Sequence, residues 1–182
     1  YYLSTDCEVL LISTTFYLQL AADLFGEEMF EVSHEESWVE LDSHANMPVV
    51  GYNAYVAYDT GKTPSVNPYN PDNPPYEIPI VDANVAYEDQ FTGKEYLLVV
   101  RNALFVKSMA HCLMPLFILQ EAGLTVNDTA KIHVPNPGEE DHAIVFDETF
   151  CIPLSLVGIF SYFPVQPTEE ELRDIEDVFV LT

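Results

Sequence analysis

A chain of 182 residues with 30 acidic and 6 basic side chains has room for one domain and a small extension. Its apolar fraction, 48%, is enough to bury a core and excludes wholesale disorder. At a net charge of −24, too few Lys and Arg remain to neutralise phosphates, so direct nucleic-acid binding and anionic-membrane binding are excluded. The acidity reads as a solvated surface, or as a working environment of low pH or high salt. Cys7, Cys112 and Cys151 are odd in number and lack metal-ligand spacing, which predicts reduced thiols and a cytoplasmic setting. The chain begins Tyr1-Tyr2 without Met, as expected of an excised domain. The apolar stretch 9–25 has no basic flank and is interrupted by Gln19 and Asp23, so neither a signal peptide nor a membrane span is expected.

In chain order, residues 14–30 space Phe16, Leu20, Leu24 and Met29 as a helix does, with Gly26 ending its first part. An acidic linker follows over 32–37. From Trp38 the texture becomes short apolar runs between turn residues. Strands are predicted at 38–41 and 47–50, with a weaker one at 52–58. Five prolines within 62–75 predict a long irregular loop. Runs 78–87 and 95–106 predict a hairpin around Thr92-Gly93. Pro115 and Gly123 bracket a short helix over 115–122. A proline-bounded loop at 134–138 is followed by strands in 143–146 and 150–163. Thr168 with Glu171 has the form of a capping box opening an acidic helix to about residue 177. The division is a helical lead-in and linker, 1–36, a main domain, 37–165, and a C-terminal acidic helix, 166–182.

The segment that carries chemistry is Val39-Glu40-Leu41-Asp42-Ser43-His44-Ala45. A water-activating aspartate belongs at the end of a buried strand on a tight turn. A hydroxyl next to it hydrogen-bonds around the site, and small residues let two such turns approach. Two carboxylates about 3 Å apart share one proton, because like charges that close cannot both ionise. The ionised one activates water and the protonated one polarises the scissile carbonyl.

Further along stand Asn102-Ala103-Leu104-Phe105-Val106, Cys112-Leu113-Met114-Pro115 and Gln120 to Gly123. With the Asp42 turn, they resemble the proteases of copia-type retrotransposons, in which D-S-G-A precedes an N-V-L-Y-V-P-like strand, an apolar segment and a helix ending in Gly. Phe91-Thr92-Gly93, Asn136-Pro137-Gly138-Glu139-Glu140-Asp141-His142 and the run from Ile152 to Pro164 are similar to a divergent D-S-H-A subgroup. The resemblance spans about residues 40–164. It implies a mostly β, retropepsin-like acid-protease barrel, closed or half-open, with one short core helix and peripheral helices at both termini. It implies an aspartic endopeptidase that processes a Gag-Pol polyprotein peptide. Asp42 would activate water, Ser43 would hydrogen-bond the dyad, and His44 and Ala45 would complete the turn. One chain offers one such turn, so a homodimer is implied. The substrate flap would come from the 62–77 loop or the 78–100 hairpin. The setting is cytoplasmic, extending to virus-like particles, and no cofactor, metal, nucleic acid or membrane is implied.

His44 departs from the usual Gly, Asn46 from an acid and Pro115 from a small residue. At a turn requiring positive φ, His44 would be strained, and His44→Gly would relieve it. The alternative reading is a catalytically inactive or domesticated domain that keeps the fold for binding or assembly. Asp59-Thr60-Gly61 is a rival catalytic triplet, but Lys62 and Thr63 follow it, and Asp-Thr-Gly is also an ordinary turn. His34, His44, His111, His133 and His142, with Cys112 and Asp141, lack zinc-site spacing. A Cys–His nucleophile built on Cys112 or Cys151 is weaker still, and no Gly-rich phosphate loop is present.

Overall fold

The structure, a computed structural model, describes residues 9–10, 37–67, 74–166 and 175–182. The predicted N-terminal helix and the Thr168–Glu171 capping box lie outside them. The described chain is mostly β. Its strands are β1 (Val9–Leu10), β2 (Ser37–Leu41), β3 (Val49–Val50), β4 (Tyr55–Lys62), β5 (Ser65–Asn67), β6 (Tyr76–Glu77), β7 (Ile80–Glu88) and β8 (Glu95–Phe105). They continue with β9 (Cys112–Met114), β10 (Thr125–Asn127), β11 (Ala143–Val145), β12 (Cys151–Pro153), β13 (Ser155–Val157), β14 (Phe160–Val165) and β15 (Val178–Val180). The α-helix among the described residues is α1 (Leu116–Glu121).

The main sheet is mixed, in the order β13-β14-β2-β9-β3-β8-β7-β4, with β15 on β8. β2 and β3 are consecutive strands joined by the Asp42 turn, yet they are not neighbours. β9 lies between them, parallel to β2 and antiparallel to β3. β9 and β3 are covered on both faces, and β2 on one. Val39, Leu41, Val50, Cys112 and Met114 enter one apolar cluster, while Val49, Leu113 and Leu104 enter another. Strands buried on both sides read as continuous apolar runs, which is why Val49-Val50 and Cys112-Leu113-Met114 carry no polar alternation.

Of the closed or half-open barrel expected, the closed form is not made. The sheet runs open from β13 to β4, and an isolated bridge between Ala86 and Gln166 is what links the end of β14 to β7. β4 pairs with β7 through two register breaks, after Val56 and after Asp59. Such bulges bend and twist an edge strand away from further pairing. The predicted hairpin is β7–β8, in register from Ala83↔Val100 to Glu88↔Glu95. Part of the predicted 62–75 loop is instead strand, with β5 pairing β6.

α1 follows the sequence reading closely. Pro115 holds its N-cap in extended backbone, and Gly123 takes φ +94° just past its end. The Leu124 N–H reaches the Leu119 carbonyl and the Gly123 N–H reaches that of Gln120, a Schellman closure for which glycine is the natural residue. The C-terminal segment 166–182 departs from the expected helix over its described residues, 175–177 having no helix. Val178–Val180 is a strand parallel to Leu97–Val99, not helix. Phe179 stacks on Phe150 at 4.3 Å, Leu181 is fully buried, and Lys94 pairs with Asp177 at 2.7 Å. Tertiary packing by an aromatic and two β-branched residues outweighs the local helix signal. No described helix is long and apolar enough to cross a membrane.

Candidate active site

β2 delivers Asp42 to the turn. Its backbone N–H donates to the Met114 carbonyl at 3.0 Å, extending the β2–β9 ladder by one rung. The two legs of the turn are held apart by β9, so the turn is fixed by pairing on both sides. Asp42 is only 8% exposed. Its Oδ1 accepts the His44 backbone N–H at 2.8 Å, and among the described residues its buried Oδ2 has no hydrogen-bond partner. An unpartnered carboxylate oxygen in a buried position is costly unless another group meets it. Ser43 is exposed, and its Oγ lies 3.2 Å from His44 Nδ1. Ala45 is buried in the second apolar cluster.

His44 is 73% exposed, with Nδ1 3.8 Å from Asp42 Oδ1. Its backbone is not in the left-handed region, which among the described non-glycine residues is entered by Asn102, Asn136 and His142. The strain expected at His44 is therefore absent. The turn is closed by the Asp42 carboxylate accepting the N–H two residues on, a geometry open to side-chain-bearing residues.

Beside the turn lies a cavity of about 200 Å³ walled by Asp42, Ser43, His44, Leu116, Asp128 and Phe160, among others. It brings the Asp42 turn, the start of α1, the residue after β10 and the β13–β14 hairpin to one place. Asp128 and the hairpin did not figure in the sequence reading of the site. Behind this wall the Ser161 hydroxyl, which also lines the cavity, sits 2.9 Å from Nε2 of buried His142. Burial, then Lys131, holds the His142 imidazole below its usual range and so favours the neutral ring.

The rival triplet is elsewhere. Asp59, Thr60 and Gly61 lie within bulged β4, with Asp59 exposed. The Gly61 N–H donates to Asp59 Oδ1 at 2.8 Å, and Thr60 Oγ1 donates to the Ile80 carbonyl at 2.6 Å. These hydrogen bonds stabilise a bulge, and the triplet does not line the Asp42 cavity.

The two described thiols, Cys112 and Cys151, do not line this cavity. Cys112 is buried, its Sγ 3.4 Å from Asn53 Oδ1, and burial pushes its pKa up to about 11. Burial, then Glu139, raises Cys151 as well. A thiol kept protonated is a poor nucleophile. Among the described residues no three His, Cys, Asp or Glu side chains gather as a metal site would require.

Glu40 is the charged residue that the motif reading passed over. It stands two residues before Asp42 on the same face of β2 and is 6% exposed. Burial, then the charge of Asp42, raises its pKa above the usual carboxylate range. A raised folded pKa means that Glu40 contributes stability while protonated, and that this is lost as pH rises from the ordinary value through the folded one. Glu40→Gln should therefore raise the Tm by a few degrees at pH 8, and this advantage should shrink towards pH 4. Melting curves at the two pH values check this, and an advantage equal at both would rule out ionisation as its source. The available signal was the alternation Trp38, Glu40, Asp42 along one strand.

Compared with protein-family profiles, curated proteins and solved structures, the chain matches none.

Proposed function

We propose that the chain is a retropepsin-like aspartic endopeptidase acting on a polyprotein peptide, with a water activated between the Asp42 residues of two chains. The observation that carries this reading is the Asp42 carboxylate, at a strand end, buried, with Oδ1 held by the turn and Oδ2 free of partners among the described residues at the cavity wall. In a dimer a second Asp42 supplies the missing partner, and one proton between the two carboxyls relieves the repulsion. The exposed Ser43 and His44 form the crest of the turn, where a mate approaches. The cavity beside Asp42 receives the peptide, with Leu116 and Phe160 as apolar walls. No cofactor enters the scheme.

Mixing two forms of the protein tests the reading. Adding excess Asp42→Asn chain to a fixed amount of wild type should suppress peptide cleavage, because mixed dimers hold one carboxylate. Specific activity of wild type alone should fall on dilution, and the loss should be steeper at pH 8 than at pH 5, where two chains of charge −24 repel less. Cleavage that is indifferent to both the added variant and dilution would exclude a two-chain site. Full dimerisation with no cleavage of any peptide would favour the binding or assembly reading, for which His44 in place of Gly is the supporting feature.

A further inference from the structure

Next to the Asp42 cavity, on the same strand face, lies a second cavity of about 300 Å³ lined by Trp38, Glu40, Val157, Phe160 and Tyr162. Phe160 belongs to the walls of both cavities, so the two lie side by side. Trp38 and Tyr162 meet edge to face at 6.3 Å and 68°, which gives the pocket two aromatic walls at an angle. Tyr162 lies directly across the ladder from Glu40, whose carboxyl is thus set among three rings. One face of Trp38 is covered by His111, stacked at 4.7 Å and 6°. His111 is 7% exposed, with both ring nitrogens buried and unpartnered among the described residues, and its burial favours the neutral imidazole. Trp38 is thereby held flat, and His111 supplies no cation to Glu40. Among the described residues Glu40 forms no ion pair either, the pairs there being His44–Asp42 and Lys94–Asp177.

A buried carboxylate in an aromatic, otherwise uncharged pocket is the complement of an organic cation on an apolar stem. Aromatic faces attract the cation, and the carboxylate neutralises it. We propose that this cavity is a subsite for a lysine or arginine side chain of an extended peptide lying along the Asp42 cleft. Glu40 and Asp42 are two residues apart on one strand, roughly 7 Å, which is also the repeat of same-side residues in an extended peptide. The strongly acidic chain attracts basic peptides from solution. A buried acid that lowers stability when ionised is also what a binding role would retain. That the cation belongs to a substrate peptide rests on the protease reading; the preference of the pocket for a cation does not.

Trp38 is the one tryptophan in the sequence, so its fluorescence reports on the pocket directly. Wild-type protein is titrated at 0.15 M salt with N-acetyl-lysine methylamide, N-acetyl-arginine methylamide and the uncharged N-acetyl-norleucine methylamide. The two cationic probes should shift Trp38 emission and bind about tenfold more tightly than norleucine. Glu40→Gln should erase that difference while leaving norleucine binding in place. Equal affinity for lysine and norleucine in wild type, no response of Trp38, or an undiminished lysine preference in Glu40→Gln would each overturn the subsite. Protein that selects lysine but cleaves no peptide keeps the subsite and retires the protease reading. Protein that cleaves peptides without telling lysine from norleucine does the reverse.

Discussion

Replacing Asp42 by Asn should lower peptide cleavage by on the order of 10³-fold or more while leaving the fold intact, whereas Asp59→Asn should leave most of the activity. The asymmetry follows from the hydrogen bonds of the two aspartates. At residue 42 an amide oxygen can still accept the His44 N–H, so the turn keeps its 2.8 Å closure. What is lost is the carboxylate at the Oδ2 position, and with it the group able to take a proton from water. Because both chains of a dimer change together, no ionisable dyad remains. At residue 59 the amide oxygen can likewise accept the Gly61 N–H, and nothing there lines the Asp42 cavity. The measurement is cleavage of a longer polyprotein, or of an unfolded protein substrate, by purified variants of matched Tm. Activity that survives Asp42→Asn and disappears in Asp59→Asn would move the chemistry to the bulge of β4.

The difference in burial between those two aspartates is legible in the sequence, and the reason is local. Val39 and Leu41 flank Glu40 ahead of Asp42, and Ala45 follows it, so the burial of the turn is written in its neighbours. Asp59 has Tyr58 and Lys62 around it, both exposed. The β7–β8 hairpin and α1 were legible for the same reason, since Thr92-Gly93 and the Pro115 to Gly123 bracket act over a few residues. Long-range pairing was not legible. That β9 threads between β2 and β3, or that β14 returns to β2, depends on contacts across the chain that short apolar runs do not specify. A closed barrel was expected and is not made for the same reason, and the strand at Val178–Val180, just past the helix expected to about residue 177, is likewise decided by a distant aromatic cluster. His44 was misjudged because its φ depends on how the Asp42 carboxylate closes the turn. Glu40 was missed because a motif read as a string hides that alternate residues of a strand share a face.

The largest loss of stability is expected from Gly51→Ala, a change of one methyl group. Gly51 follows β3 and lies against the chain between β8 and β9. A Cβ built there would sit 2.1 Å from the Met109 carbonyl oxygen, 2.9 Å from its carbon and 3.2 Å from the His111 carbonyl oxygen. These are backbone atoms, so no side chain can swing aside. Separating the strands would break the Tyr52 N–H to Met109 carbonyl bond of 3.0 Å and disturb the Val106 N–H to Val50 carbonyl bond of 2.9 Å. Overpacking against backbone costs about 3 kcal/mol or more, a large part of the about 5–15 kcal/mol that holds a domain together. The Tm should fall by roughly 6–12 °C, or the protein should fail to accumulate. Gly138→Ala is the control, since its Cβ would meet Asp141 Oδ2 at 3.6 Å, an ordinary contact, and its Tm should be unchanged. The damage should also reach the site. Residues 109–111 lead directly into β9, the strand that separates the legs of the Asp42 turn, and His111 carries the ring stacked on Trp38. Any Gly51→Ala protein that remains folded should therefore show an altered Trp38 emission and reduced cleavage together. An unchanged Tm would mean that residues 109–111 do not pack on Gly51, and the placement of β9 between β2 and β3 would fall with that contact.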